Sequence, residues 1–365
     1  MPKLKVLHVS LEGEKGVGGI KTAIKGLLPA LARKDDLEIY LVTPFFDVYE
    51  AFYDSAVLTE VVKLKHVYDG QLHESMIYRT YVPAAEESKQ VLHYLIRPAE
   101  GSPVRMLFDI KNEADMYKSF VWSEFQKRVE YFNSAVAAMV RLPNVEIPLF
   151  DVVHAHTWHA GLSICLMKEF HERQQPLNKI PHSVSSVYML TAAEQGHLTT
   201  TDSVQALIDS VGLAEDFISS FPVEPYGFKL DSLKQAAVVL AYSDQVVIAH
   251  QGHLQDLISG KGEGLDALLI KLSAALRLTE IVTPMTTVSD EVWDSDPAQQ
   301  YSALYSTVAT QPLLTADQLR TVTDSSNPTP TATWIFDSLQ VVKKALEDFE
   351  DSLCYTTRKK QTVKI

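Results

Sequence analysis

The residues of this chain best suited to chemistry are three closely spaced histidines, His154, His156 and His159, in the run His-Ala-His-Thr-Trp-His-Ala-Gly-Leu over residues 154–162. A neutral imidazole can donate or accept a hydrogen bond to a sugar hydroxyl or a phosphate. Residues 151–155 are a short apolar run and residues 157–167 carry apolar side chains at helical spacing, so the histidines fall where a strand becomes a helix. In an open α/β sheet that is where ligands bind, and the helix N-terminus adds free N–H groups and positive dipole character. His154, nearest the strand, reads equally well as a satisfied core histidine. A zinc site is disfavoured, because His154, His156 and His159 lack the i, i+4 pair with an intervening Glu and no cysteine cluster is near. The expectation is therefore sugar or phosphate recognition, with no metal and no cofactor.

The elements that must position this run alternate. Residues 4–10 form a β-rich run, a glycine loop follows at Gly16, Gly18 and Gly19, and residues 20–31 repeat apolar side chains at helical spacing. Glycines there let the backbone approach a ligand, although any tight turn uses them too. A second strand over 37–43 completes a βαβ unit and predicts a parallel sheet. Strands are expected over 76–82 and 91–96, a long helix over 118–141 stopped by Pro143, then the histidine strand. Further strands over 184–190 and 244–249, interleaved with helices over 204–211, 229–241 and 250–258, extend a doubly wound sheet.

Composition narrows the function classes. The 365 residues, 46% hydrophobic, suffice for a large core and about two domains. A formal charge of -13 argues against unspecific binding to nucleic acid or to an anionic membrane surface, both polyanionic. Two cysteines, Cys165 and Cys354, give no disulfide framework and suit a reducing compartment. No apolar signal core opens the chain and no window approaches a membrane span, so a cytoplasmic location is expected. Residues 302–333 shift to Thr, Ser and Pro and read as a connection; residues 334–353 then form an amphipathic helix, and the tail to residue 365 is polar and basic.

Taken in order, these motifs resemble the N-terminal half of the glycogen synthase and starch synthase family, retaining glucosyltransferases of the GT-B fold. Residues 6–10, the loop at 16–20 and the run Leu-Pro-Ala-Leu at 28–31 are similar to the family's first strand, its Lys-x-Gly-Gly-Leu phosphate loop and the helix after it. Residues 154–162 are close to the family's His-Ala-His-Asp-Trp-His-(Thr/Ala)-Gly-Leu. Segments at 241–246, 262–266 and 292–294 follow in the family's order, so the resemblance covers residues 4–301.

The resemblance implies one Rossmann-like α/β domain over residues 1–301, a connection over 302–333, and a C-terminal helix and tail over 334–365 that pack back on it. It assigns His159 to the transferred glucose as a catalytic residue. It also assigns donor-phosphate contact to the loop at Lys15, Gly18 and Gly19, and substrate contact to His154, His156, Thr157, Trp158 and Glu124. Glu124 stands near a family Asp, although a single Glu on a helix is more often a solvated surface group. The chain also departs from the family: Gly16 stands at the loop lysine, with Lys15 one residue early, and Thr157 replaces an Asp. A second Rossmann domain for the nucleotide sugar takes roughly 150–200 residues, more than follow residue 301. Two functions are therefore open. One is glucosyl transfer from a nucleotide sugar to an α-glucan, with the donor domain supplied by a protein partner or by the rest of a longer protein. The other is a non-catalytic glucan-binding or protein-interaction module.

Overall fold

A computed structural model of the chain describes residues 2–13, 19–53, 58–69, 71–82, 90–112, 115, 122–141, 146–174, 185–190, 243–249, 278–284 and 289–310. The first strand, β1 (Leu4–Val9), is buried over its last four residues and is paired on both edges. Such a strand must be apolar on both faces, which is why it reads as a nearly continuous hydrophobic run. Helix α1 (Gly19–Ala32) buries Ile24, Leu27, Leu28 and Leu31, and returns the chain to β2 (Leu37–Pro44), parallel to β1.

The sheet then grows outward. β3 (Thr59–Tyr68) and β4 (Gln71–Val82) form an antiparallel hairpin, and Asp69 at the end of β3 has φ of 52°. That is the backbone a two-residue hairpin turn requires. β5 (Val91–Pro98) pairs antiparallel with β4 and parallel with β2. After α2 (Trp122–Arg141) the chain crosses to the other side of β1 and continues through β6 (Val152–His156), α3 (Trp158–Gln174), β7 (Ser185–Leu190), β8 (Gln245–Ile248) and β9 (Leu278–Glu280). The sheet order is β3-β4-β5-β2-β1-β6-β7-β8-β9. Seven neighbouring strands, β5 to β9, run parallel. The expected doubly wound α/β fold is present.

Two short-range surprises come after β9. α5 (Pro297–Thr310) lies over β1, β6 and β7, with α4 (Asp290–Ser295) against α1 and α5, and α5 buries Tyr301, Leu304, Tyr305 and Val308, an i, i+3, i+4, i+7 stripe. The connection expected from residue 302 thus falls, in its first nine residues, inside a core helix. Residues 311–333 and the expected helix over 334–353 lie outside the described residues, as do the helices expected over 204–211, 229–241 and 250–258. α4 is fixed by Trp293, which joins the core cluster of α1 and α5, and by Arg33, whose Nε and Nη2 both donate to Asp294 Oδ1 at 3.1 and 2.7 Å. Gly26 of α1 makes the contact possible: a Cβ built there would stand 1.9 Å from Trp293 Cε2.

Candidate functional site

The direction of winding reverses between β1 and β6, which places a ligand crevice at their C-terminal ends. Val9 and Ala155 are the last register pair there. Beyond them emerge residues 10–13 from β1 and Thr157, Trp158 and His159 from β6.

Thr157 makes the turn from β6 into α3 with φ of 64°, a conformation costly for a β-branched residue. It is held there by its N–H on the Met189 carbonyl (3.0 Å) and by its own carbonyl, which accepts from Ala160 and Gly161 N–H at 3.2 and 3.1 Å. Its hydroxyl is left for His159 Nδ1, 2.8 Å away. The His159 ring lies against Trp158, with centroids 4.0 Å apart, and edge-on to Phe125 of α2 at 5.6 Å. Burial lowers its pKa to about 3, so the imidazole is neutral at physiological pH. Asn133, wholly buried on α2, completes the arrangement. Its Nδ2 donates to the His159 carbonyl at 2.7 Å while its Oδ1 accepts from Ser163 N–H at 2.8 Å. Those two groups are the i, i+4 partners of an undisturbed helix turn. Asn133 carried no sequence signal, because a polar residue within a helix is ordinarily solvent-facing.

The other two histidines of the run do not join His159. Residues two apart on a strand share a face, so His154 and His156 point the same way, and the strand register puts His8 of β1 beside His154. All three rings are fully buried beneath α5. His8 Nδ1 and His156 Nε2 share a hydrogen bond of 2.9 Å, and His154 Nδ1 is 2.7 Å from the Tyr305 hydroxyl. Among the described residues His154 Nε2 and His156 Nδ1 have no hydrogen-bond partner. Desolvation, and secondarily the neighbouring imidazoles, pushes His8 and His154 well below the ordinary histidine range, and burial lowers His156 to about 3. His154 and His156, expected at the substrate, therefore lie in the core beneath the crevice floor; Trp158 and Thr157 are buried beside His159. His8 was legible only as a strand residue, because its company depends on which strand lies next to β1.

At the α1 end of the crevice, Gly19 opens the helix, while Lys15 and Gly18 lie outside the described residues. The Glu12 carboxylate accepts from Lys21 N–H at 3.1 Å, so a fixed negative charge sits at the helix N-terminus that would otherwise favour a phosphate. Glu124 is on the first turn of α2, exposed, 3.7 Å from Arg128 Nη2, as a solvated surface acid would be. It neighbours Phe125, which touches His159, but no described contact joins its carboxylate to that ring.

An open, doubly wound parallel sheet with its switch point at a strand-to-helix turn is the α/β domain from which GT-B folds are built. Residues 5–271 match the starch synthase catalytic domain family, and the chain belongs to it. Glycogen synthase of Actinobacillus succinogenes is 26% identical over 307 residues, 80% of this chain and 54% of that protein. Glycogen synthase of Methylocella silvestris is 31% identical over 150 residues, 40% of this chain and 26% of the relative. The catalytic domain of starch synthase IV from Arabidopsis thaliana, bound to ADP and acarbose, superposes with a TM-score of 0.59 at 19% identity, over 77% of this chain and 52% of that structure. The chain thus spans about half the length, or less, of the relatives it matches.

Proposed function

We propose that this chain is the acceptor-side half of a glucosyltransferase of the glycogen and starch synthase type, and that it holds an α-glucan end in the crevice beyond β1 and β6. The observation that carries the reading is the placement of the family's histidine run at the switch point, with His159 fixed by Thr157, Trp158 and Asn133. An imidazole that stays neutral down to about pH 3 is a poor proton carrier near neutrality, so His159 acts by hydrogen-bonding a sugar hydroxyl and orienting it. Transfer from a nucleotide sugar requires a second, donor-binding domain at the same cleft, brought by a partner protein or by further residues of a longer chain.

A non-catalytic glucan-binding or protein-interaction module is the second reading. It is favoured by the Glu12 carboxylate at the α1 N-terminus, which opposes a donor phosphate. We place either form in the cytoplasm, in line with the acidic composition and the two distant cysteines. Among the described residues no helix is long and apolar enough to cross a membrane.

The test is calorimetric titration of the 365-residue chain with maltooligosaccharides, run beside incorporation of labelled glucose from ADP-glucose or UDP-glucose into glycogen. Glucan binding without elongation is expected, weakened about 5- to 100-fold by His159→Ala, the loss of one partly buried hydrogen-bond partner. Elongation by this chain alone refutes the half-enzyme reading, and absence of any glucan binding leaves the interaction module.

A further inference from the structure

The core beneath α5 holds a feature that glucan binding does not use. His8, His154 and His156 are each fully buried, and one nitrogen from each lies within 4.8 Å of the other two. We propose that these three imidazoles form a binding site for a divalent transition metal of the zinc class, clasping β1, β6 and α5 together. The proposal stands apart from the glucan reading, since His159, the residue assigned to sugar, is on α3 and makes no described contact with the trio.

The donor set fits the ion. Three neutral imidazoles are a common protein complement for zinc, and imidazole also suits copper, nickel and cobalt. Two histidines at i and i+2 on one strand and a third at the register position of its neighbour converge on one face without any helix pattern. The sequence disfavours metal at residues 154–159 for want of that helical pattern and of nearby cysteines, a test that does not consider His8. His154 Nε2, buried with no partner among the described residues, is the kind of polar atom that native cores seldom leave unmet. Ligation through Nε2 leaves Nδ1–H on the Tyr305 hydroxyl at 2.7 Å, and an oxygen acceptor on the far nitrogen is the usual way of orienting a ligand histidine. His8 Nδ1 and His156 Nε2 face each other at 2.9 Å. Tetrahedral zinc with bonds near 2.05 Å separates its nitrogens by about 3.3 Å, so those two rings part by roughly 0.4 Å while the third nitrogen, within 4.8 Å of them, closes by up to about 1.5 Å.

The experiment uses the untagged 365-residue chain, stripped with a chelator and titrated with Zn2+ by calorimetry, and with Co2+ followed by its visible absorption. One equivalent of either ion is expected, with the intense bands of four-coordinate Co2+ and a higher melting temperature in Zn2+. His8→Phe keeps a ring of similar size while removing a ligand, and should lower affinity by more than the ~10- to 100-fold that loss of an outer partner costs. Should that variant fail to fold, Tyr305→Phe, which removes only the hydroxyl on His154, should weaken binding by about 10- to 100-fold. His159→Ala should bind as the unmodified chain does. No stoichiometric uptake by the stripped chain overturns the proposal. So does affinity that is unchanged in both His8→Phe and Tyr305→Phe, or uptake that disappears with His159→Ala.

Discussion

Replacing Gly26 by alanine asks whether the second half of the domain is docked as described. On an exposed helix the change would stabilise by about 0.8–1.0 kcal/mol, because alanine is the better helix former. Here the new Cβ would stand 1.9, 2.0 and 2.5 Å from Trp293 Cε2, Nε1 and Cζ2. Carbon contacts are comfortable at about 3.5–4.0 Å, so the indole must retreat by roughly 1.5–2 Å. Trp293 is only 2% exposed, enclosed by α1 and α5, and cannot swing away freely. Overpacking costs about 1–3 kcal/mol and outright loss of a core tryptophan about 3–5. A cost of roughly 2–4 kcal/mol less the propensity gain leaves Gly26→Ala less stable by about 1–3 kcal/mol. Urea denaturation measures it, and a double-mutant cycle isolates the cause: in a Trp293→Ala background the same change should stabilise by about 1 kcal/mol. If Gly26→Ala raises stability in the unmodified chain, α4 does not lie on α1 as described.

Asn133→Ala should cost about 2–3 kcal/mol in urea, since buried polar groups of α2 and α3 lose their partners, and a change under 0.5 kcal/mol would show that the carboxamide does not bridge them. Thr157→Gly should be more stable than Thr157→Ala by about 1 kcal/mol, because both lose the hydroxyl on His159 and only glycine enters the left-handed region freely; equal melting temperatures for the two would mean that the φ of 64° is not a source of strain. The pH dependence follows from the histidines whose folded pKa is depressed, among them His93, His156 and His159 at about 3. Below the unfolded value near 6.5 the unfolded chain binds more protons, so their stabilisation is complete above that pH and is lost as the pH falls toward 3. Each contributes a slope of about 1.4 kcal/mol per pH unit. His93→Phe should remove one such slope between pH 6 and 4, and equal slopes for variant and unmodified chain would contradict its neutrality in the fold.

How far the sequence could be read depended on whether the signal was local. β1, β2 and β6 were legible because strands buried on both faces must be apolar throughout, and the strand-to-helix change at residue 157 follows from the period of its neighbours. The family resemblance then gave the fold class. α5 was missed although Tyr301, Leu304, Tyr305 and Val308 carry the helical stripe, because Ser, Thr and Ala between them dilute it and a Thr-rich run follows. The histidines were grouped by proximity along the chain, whereas the alternation of strand side chains sends His154 and His156 beneath α5 and the helix turn sends His159 toward α2. Neither His8 nor Asn133 could be found without knowing that β6 lies beside β1 and α2 beside α3.

The reversal of strand order also governs how the chain is made. The pairing of β1 with β6 begins where Lys5 N–H meets the Asp151 carboxylate, 146 residues apart, and Tyr305 reaches His8 across 297. At a synthesis rate of about 5–20 residues per second, β1 leaves the ribosome roughly 7–30 s before β6 can cover its open edge, and α5 arrives later still. For that interval the nascent chain presents an unpaired, strongly apolar strand edge, the kind of surface that recruits other strands. Contacts this distant in sequence also make for slow folding. The crevice edge of β1 thus stays open until β6 arrives, and the emerging chain is most exposed to aggregation, and most in need of a chaperone, while residues 10–151 are being added.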